Sequence, residues 1–314
     1  MVNRATVTED GGRASSGIDF FRCPAFLEAE GVTHTIEIGE GNDRIAGPLV
    51  AREIPGGGLD ATSPYGYPGF SLADVPENLP LDISGIDFSG TGLVSIFIRH
   101  CLDPDGEPPL TGATPRNVCL VADPALPPKS RMSDRQQVRK NEKKGYSVRI
   151  VPGEEVAAGE LDGFTRVYTE TMERTGASEH YFFDADYFRG LLGSGMAWLA
   201  LAEDGDGEIA AGSLVVNSDG LLHYYLSGTG DSHLSDSPMK SVLSALVGFS
   251  ADRETALNLG GGITPGDRLE EFKRGFGNRE VQWYTQEIVC DPDAYRELSE
   301  GKEAGEYFPA YRAP

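Results

Sequence analysis

The sequence predicts an α/β protein made of two domains, each with a mixed sheet. The chain has 314 residues, which is enough for two domains of ordinary size. Stretches with the two-residue period of strands alternate with stretches that have the period of amphipathic helices. The proline-rich segment Pro124–Pro128 separates two such series of elements. We therefore predict a first domain over 17–126 and a second over 127–292, with 293–314 as a tail that packs back.

Composition narrows the class of protein. No apolar run is long enough to span a bilayer, so we expect no membrane insertion. Residues 1–16 are polar and lack the apolar core of a signal peptide, and we predict a disordered lead-in there. The four cysteines form no C-x-x-C pair, which favours free thiols and a cytoplasmic location.

The net charge of −22 should repel polyanions at long range, but the charge is uneven. Eight of the 27 basic residues lie between Lys129 and Arg149, where Asp134 and Glu142 are the only acids. The remaining chain carries 19 basic residues against 47 acidic ones. We therefore expect any phosphate-bearing partner to bind this cationic segment.

In the first domain we predict a short helix over Phe20–Glu30 and strands over Val32–Ile38, Gly47–Ile54, Leu93–Cys101 and Asn117–Ala122. A turn-rich segment, Tyr65-Gly-Tyr67-Pro-Gly69, presents two tyrosines. These tyrosines could pack on a sheet edge or bind a substrate, and the residues leave both open.

The second domain opens with the cationic helix. Ser133 to Gln136 has the form of a capping box, and Gly145 is placed to end the helix. Arg131, Arg135, Arg139 and Lys143 recur every four residues and should line one stripe of it. The stripe is either a solvated face or an anion-binding surface, and the scarcity of compensating acids favours anion binding.

The elements that follow have a definite order, strand-helix-helix, three strands, helix-strand-helix-strand. The predicted ranges are Tyr146–Val151, Leu161–Thr175, Asp184–Leu192, Met196–Ala202, Ile209–Asn217, Leu221–Ser227, Ser237–Arg253, a short strand that starts at Leu257 and ends in the glycine triplet, the helix carrying Lys273, and Val281–Val289, before a helical tail from Asp291.

A glycine triplet and a lysine mark the candidate reacting centre. The strand Leu257–Gly260 runs into Gly261 and Gly262, and glycines let backbone approach a ligand closely. Asp267 can cap the next short helix, which carries Phe272 and Lys273 and which Gly275 ends. Lys273 either serves the chemistry or caps the carbonyl end of a neighbouring element.

The order of elements from Tyr146 to Val289 matches the GNAT acyltransferase domain. Five segments also resemble, in order, the FemAB-like family of tandem-GNAT enzymes, which transfer amino acids from aminoacyl-tRNA to an amine. They are Arg139-Lys-Asn-Glu-Lys-Lys-Gly145, Tyr181-Phe-Phe183, Leu222-His-Tyr-Tyr-Leu-Ser-Gly228, Leu259-Gly-Gly-Gly262 and Phe272-Lys-Arg-Gly-Phe276. The resemblance implies two tandem GNAT-like domains, of which the N-terminal one is degenerate.

The resemblance also implies a reaction and residues for it. Phe272-Lys273 matches the family's Phe-Lys pair, whose lysine acts at the reacting centre. The implied partners are tRNA and a small-molecule or peptide amine acceptor, as in peptidoglycan or antibiotic biosynthesis, with no cofactor besides the aminoacyl-tRNA donor. Gly260, Gly261, Gly262, Tyr65, Tyr67 and Tyr225 are then the expected substrate-binding residues, and the stripe the expected tRNA contact. The long helical hairpin that some members use for tRNA is missing from this sequence.

Other functions remain open. An acyl-CoA-dependent GNAT N-acyltransferase would hold the CoA pyrophosphate on backbone N–H groups, and Tyr225 to Gly230 partly fits that loop. However, Tyr225 replaces the expected basic or amide residue, and Asp231 and Asp236 would repel a pyrophosphate. A catalytically inactive binding module is disfavoured by Phe272-Lys273. We expect no metal site, because the five histidines show no ligand spacing, and no serine hydrolase, because G-x-S-x-G does not occur. His223 could supply acid–base chemistry or sit in the core.

Overall fold

The structure, a computed structural model, describes residues 3–40, 43–70, 79–104, 106 and 108–313. The chain divides into two compact units, Met1–Arg116 with Gln282–Pro314, and Asn117–Val281. The predicted boundary after residue 126 is therefore not where the units divide, and 282–292 belongs to the first unit. The chain crosses from one unit to the other inside the strands Thr114–Ala122 and Arg279–Val289, and strand periodicity gives no sign of a boundary there. The proline-rich segment that suggested a boundary is a turn within the second unit.

The first unit is a mixed sheet with helices at its borders. Its strands are β1 (Asn3–Glu9), β2 (His34–Glu40), β3 (Asp43–Glu53), β4 (Leu59–Thr62), β5 (Ile86–Asp87), β6 (Ser95–Arg99) and the greater part of β13 (Arg279–Val289), and its helices are α1 (Pro24–Ala29) and α7 (Pro292–Ser299). The strand order is β5-β1-β2-β3-β4-β6-β13. Its core is aliphatic, with Ile36, Ile38 and Ile96 fully buried.

The predicted disordered lead-in is wrong for the described part of that segment, while Met1 and Val2 lie outside the described residues. Residues 3–9 form β1, which pairs with β2 in an antiparallel register from Ala5 opposite Ile38 to Glu9 opposite His34. Ala5 is fully buried. The segment is polar because one face of this strand lies towards solvent, and a half-buried strand needs few apolar residues.

The second unit contains one strand that we predicted for the first domain, at 117–122, followed by the elements predicted for the GNAT domain, in the predicted order. They are β7 (Thr114–Ala122, from residue 117), α2 (Met132–Lys143), β8 (Ser147–Pro152), α3 (Ala158–Thr175), α4 (Ala185–Leu192), β9 (Ala197–Glu203), β10 (Ile209–Ser218), β11 (Leu221–Thr229), α5 (Met239–Asp252), β12 (Leu257–Gly260), α6 (Arg268–Lys273) and the start of β13. The strand order is β7-β12-β11-β10-β9-β8. An aliphatic core that includes Val242, Leu246 and Leu257 joins α5 to the sheet.

Local signals fixed most helix ends. Asp267 caps α6 through its side chain, as predicted; Asp184 caps α4 in the same way, and Gly176 ends α3 in the left-handed region. The predicted capping box at Ser133 is wrong, because α2 already begins at Met132. No helix in the described ranges has both the length and the apolar character needed to cross a bilayer.

Candidate active site

Two neighbouring parallel strands part in the middle of the second unit. β11 and β12 are in register only at Leu222 opposite Leu257 and His223 opposite Asn258. Beyond these pairs β12 stays with β7, where Gly260 lies opposite Leu120. On its other side β11 pairs with β10 through a bulge, in which Tyr225 is the extra residue. Bulges of this kind re-aim side chains next to binding sites.

The glycine triplet is held tightly at the end of β12. Gly260 has φ +72°, and its N–H donates to Oδ1 of Asn258 at 2.8 Å. A Cβ at Gly261 would lie 2.7 Å from the Val118 carbonyl oxygen, and one at Gly262 would lie 2.4 Å from Oδ1 of Asp267. The space that these two glycines leave is therefore filled by the protein's own atoms. Their role in substrate binding stays a prediction.

Lys273 is directed at this glycine segment. Its Nζ donates a hydrogen bond to the Gly261 carbonyl oxygen at 2.7 Å and lies 6.0 Å from the centroid of the Tyr224 ring. Only 8% of the residue is exposed. The helix that carries it is short, and its direction is set by Asp267, which accepts from the N–H groups of Ile263, Thr264 and Glu270. The sequence left open whether Lys273 serves the chemistry or caps the carbonyl end of a neighbouring element. It does bind the carbonyl end of β12, and this contact is compatible with a role in the chemistry.

Burial tunes the charge of this lysine. Burial lowers the pKa of the Lys273 ammonium from 10.5 to about 8, and interaction with Cys119 and Asp267 opposes the shift. The side chain is still mostly protonated at neutral pH. Burial also raises the pKa of Tyr224 to about 12, so that its hydroxyl keeps its proton. The centre therefore combines a partly desolvated cation with a neutral hydroxyl group.

Behind the glycines lies a buried polar network that we did not predict. His223 and Asn258 are each 1% exposed. Nε2 of His223 donates to the Ser218 carbonyl at 3.2 Å, and Nδ1 accepts from Nδ2 of Asn258 at 3.1 Å. Burial lowers the pKa of His223 to about 4, so the ring is neutral. His223 is thus a core histidine that fixes Asn258, and Asn258 fixes Gly260. The available signal was that both polar residues lie on strands of otherwise apolar character.

The other predicted residues have different surroundings. Phe272 is half-buried and stacks edge-to-face with Phe276, with ring centroids 5.8 Å apart, so it packs in the core beside Lys273. Tyr225 is half-buried in the bulge of β11. Tyr65 and Tyr67 belong to the first unit. There Tyr67 contacts Phe21 and Trp283 edge-to-face, which is the packing role that the sequence left open.

The cationic stripe lies on the exposed face of α2. Arg131, Arg135, Arg139 and Lys143 are all exposed, whereas Asp134 and Asn141 on the inner face are buried. Asp134 pairs with Lys240 at 2.8 Å, and Asn141 donates to Oγ of Ser241, so α2 is fixed to α5.

The stripe retains much of its free charge. Arg131 donates to the Glu271 carbonyl and also pairs with the Glu271 carboxylate at 3.9 Å, and Arg135 donates to the Ser130 carbonyl. Within the described part of the chain, Arg139 and Lys143 form no ion pair. The scarcity of acids predicted from sequence therefore holds at the far end of the stripe.

The loop after β11, which could hold a CoA pyrophosphate, is already occupied. The N–H groups of Thr229, Gly230 and Asp231 donate to Thr171 Oγ1, Ala210 O and Glu170 Oε2 at 2.8, 2.9 and 2.7 Å. A Cβ at Gly228 would lie 2.4 Å from the carbonyl oxygen of Val167, so this glycine serves the packing of α3. None of the four cysteines, all of which lie in the part of the chain that the structure describes, is joined in a disulfide.

Comparisons with known proteins agree with this architecture. A family profile described as Acetyltransferase (GNAT) domain matches residues 128–274. No curated protein sequence matches the chain.

Solved structures of similar fold cover most of the chain. FemX has 11% identity and a TM-score of 0.59, with 93% of this chain and 99% of that one covered. The C-terminal domain of a putative lysylphosphatidylglycerol synthetase from Agrobacterium fabrum has 13% identity and a TM-score of 0.51, covering 80% and 82%. The chain thus shares its fold with FemX, as the resemblance to the FemAB-like family implies, and residues 128–274 match the profile of the GNAT acetyltransferase domain.

Proposed function

We propose that the protein is an aminoacyltransferase that moves an amino acid from aminoacyl-tRNA to an amine acceptor. The acceptor nitrogen attacks the ester carbonyl and forms a tetrahedral oxyanion. The C–O bond to the tRNA ribose then breaks, the hydroxyl leaves with a proton, and an amide remains. Because the ester is already activated, the reaction needs orientation and charge stabilisation rather than a nucleophilic side chain.

The observation that carries the proposal is the buried ammonium of Lys273. Its Nζ lies at the end of β12, where β11 and β12 have parted, and its low exposure strengthens its electrostatic interactions. In the proposed mechanism Lys273 stabilises the oxyanion. Its bond to Gly261 keeps it in place before substrate binds. Phe272 holds the helix that delivers it.

The remaining residues of the site have positioning roles in this proposal. Gly260, Gly261 and Gly262 form the fixed edge against which the ester lies, since Asn258 binds the N–H of Gly260 and Asn117 binds the carbonyl oxygen of Gly262. Tyr225, re-aimed by the bulge, contacts the aminoacyl group. Tyr65 and Tyr67 are proposed to bind the acceptor, which would be a cell-wall precursor or a small secondary metabolite.

Two features favour tRNA as the donor. Arg131, Arg135, Arg139 and Lys143 present an exposed row of cations that suits a phosphate backbone. The N–H groups of Thr229, Gly230 and Asp231 are already bonded within the protein, which leaves them unable to cradle a pyrophosphate. We propose that the reaction takes place in the cytoplasm, where charged tRNA is found and where cysteines persist without forming disulfides.

The alternative is an acyl-CoA-dependent N-acyltransferase. The acetyltransferase profile over 128–274 favours it, because that profile describes acetyl transfer. This alternative requires the loop after β11 to rearrange, so that the side chains of Glu170 and Thr171 release its N–H groups. Lys273 would serve the same oxyanion in that reaction.

Donor discrimination tests the two functions directly. The protein is incubated with a cell extract and either radiolabelled charged tRNA or radiolabelled acyl-CoAs, and new amide-linked label is measured. We expect label to move from charged tRNA and the transfer to disappear when the tRNA is digested with RNase beforehand. The Lys273→Met variant is the control and should transfer nothing above background. Label moving only from acyl-CoA, with no sensitivity to RNase, would reject the tRNA-dependent function.

A further inference from the structure

A histidine and two carboxylates from separate elements meet on the second unit. Asp204 and Glu208 border the hairpin turn between β9 and β10. His233 lies in the 3-10 segment Asp231–Asp236, which follows β11 and leads to α5. One oxygen from each carboxylate and one ring nitrogen of His233 all lie within 4.8 Å of one another. None of these residues takes part in the proposed acyl transfer.

Tyr146 orients the ring of His233. Its Nδ1 lies 2.9 Å from the hydroxyl of Tyr146, and the two rings meet edge-to-face at 87°. The Tyr146 hydroxyl donates its own proton to Oδ2 of Asp236 at 3.2 Å, so it accepts from the Nδ1–H of His233. That tautomer leaves the Nε2 lone pair free. Hydrogen bonding of one ring nitrogen to a second residue is the arrangement that fixes metal-ligating histidines.

Nε2 is directed at the carboxylates without bonding to them. It lies 3.9 Å from Oδ2 of Asp204, which is beyond hydrogen-bond length. His233 is only 9% exposed, so this nitrogen is removed from most of the solvent. A buried ring nitrogen that faces two carboxylates across a short gap offers a cation three ligand atoms from three separate residues.

Backbone hydrogen bonds hold the Asp204 carboxylate in position. Oδ1 of Asp204 accepts from the N–H groups of Asp206 and Glu208, at 3.0 and 2.9 Å, which leaves Oδ2 towards His233. The same bonds fix the hairpin turn, in which the N–H of Asp204 donates to the Glu208 carbonyl at 3.0 Å. Glu208 is exposed, and its side chain can move inward to complete the set.

We propose that Asp204, Glu208 and His233 form a binding site for a divalent transition metal of the Zn²⁺ class. One imidazole and two carboxylates are typical ligands of such an ion, with bonds of about 2.0–2.2 Å, whereas Mg²⁺ and Ca²⁺ prefer oxygen ligands alone. The three ligand atoms draw together by about 1 Å around the ion, and water completes the tetrahedron. The histidine spacing in the sequence showed no such site, because two of the three ligands are carboxylates on a hairpin.

The metal would connect the β9–β10 hairpin to the segment that precedes α5. Its role is structural, since it holds two surface elements in one arrangement. A ligand that binds only the folded state stabilises it, by about 2.7 kcal/mol at a concentration 100 times its dissociation constant.

The test uses the untagged full chain after treatment with EDTA and dialysis. Zinc chloride is titrated in by calorimetry, and the melting temperature is measured with and without it. We expect one equivalent of Zn²⁺ to bind and the melting temperature to rise by several degrees, with no comparable effect of magnesium chloride. Glu208→Gln and His233→Gln should each weaken Zn²⁺ binding at least tenfold.

Asp206→Asn is the matched control, since Asp206 is an exposed acid of the same turn that lies outside the group. It should bind Zn²⁺ like the unaltered chain. Because Glu208 is exposed, its variant tests the site even if His233→Gln unfolds. The proposal is overturned if Zn²⁺ leaves the melting temperature unchanged, or if Glu208→Gln binds it as tightly as the control. Both readouts are independent of acyl transfer, so they do not depend on the proposed function.

Discussion

The second unit uses its positive charges in two opposite ways. At Lys273 a single ammonium is buried, bonded to a backbone carbonyl, and depressed in pKa to about 8. Along α2 the side chains of Arg131, Arg135, Arg139 and Lys143 extend into solvent. Burial strengthens the electrostatic interactions of Lys273 with the groups next to it. Each exposed charge of the stripe interacts only weakly with a partner, so the stripe can bind a polyanion only through all of its charges together.

The contrast also extends to how each region is built. Lys273 depends on long-range contacts, because β12 and α6 must meet before Nζ can reach Gly261. The stripe depends only on helical spacing, and the inner face of α2 keeps it turned outward through the pair of Asp134 with Lys240. We infer that the first region serves chemistry and the second serves capture of a polyanion. The predictions below test that division, beginning with the largest effect.

Replacing Lys273 should strongly reduce the rate of transfer. In Lys273→Met the oxyanion loses its cation while the volume is largely kept, and we expect transfer to fall by about 10²–10³-fold. The measurement is the initial rate of amide formation at saturating donor. Arg268→Met, an exposed position on the same helix, is the matched control and should keep its rate. If Lys273→Met turns over at a near-normal rate while its melting curve matches that of the control, Lys273 does not serve the chemistry.

The pH dependence of stability should distinguish a buried ammonium from exposed ones. Because the folded pKa of Lys273 is lowered from 10.5 to about 8, the unfolded chain binds more protons between these values, and this residue's contribution to stability rises with pH there. From pH 7 to pH 10 the unfolding free energy should rise by about 2–3 kcal/mol relative to Lys273→Met.

Urea unfolding of both proteins across this range is the measurement. Lys143→Met, which removes an exposed lysine of the same unit, serves as the comparison. A constant difference between the original chain and Lys273→Met at every pH would show that the ammonium is not desolvated. The oxyanion role would then lose its physical basis.

Neutralising the far end of the stripe should change binding and leave the chemistry intact. In Arg139→Ala/Lys143→Ala we expect about tenfold weaker binding of charged tRNA at low salt, with a slope of log affinity against log salt reduced by about 1.5–2. Filter binding at several salt concentrations gives both quantities. Arg13→Ala/Lys302→Ala removes the same charge from exposed positions of the first unit and should have little effect. An unchanged salt slope in the stripe variant would exclude phosphate contact by α2.

Much of the fold could be predicted, because the signals are local. The caps Asp184 and Asp267, the left-handed Gly176 and the periodicity of α3 fix element ends within a few residues of chain. The order of elements in the second unit followed from them. The lead-in failed because a strand whose outer face is polar resembles a disordered segment. The division into units failed because the chain crosses inside two continuous strands.

The sequence by itself determined the order of most elements in the second unit, that a lysine follows a glycine triplet, and that one helix is rich in cations. The tertiary structure alone decided that Lys273 is desolvated and that Val118 and Asp267 fill the space beside the glycines. It also brought His233 to Asp204 and Glu208. The burial of a side chain, its proton affinity and the geometry of a set of ligands all depend on groups that lie far apart in the chain. The spacing of residues in the sequence therefore specifies which helix or strand carries a side chain, and only the packed fold specifies what surrounds it.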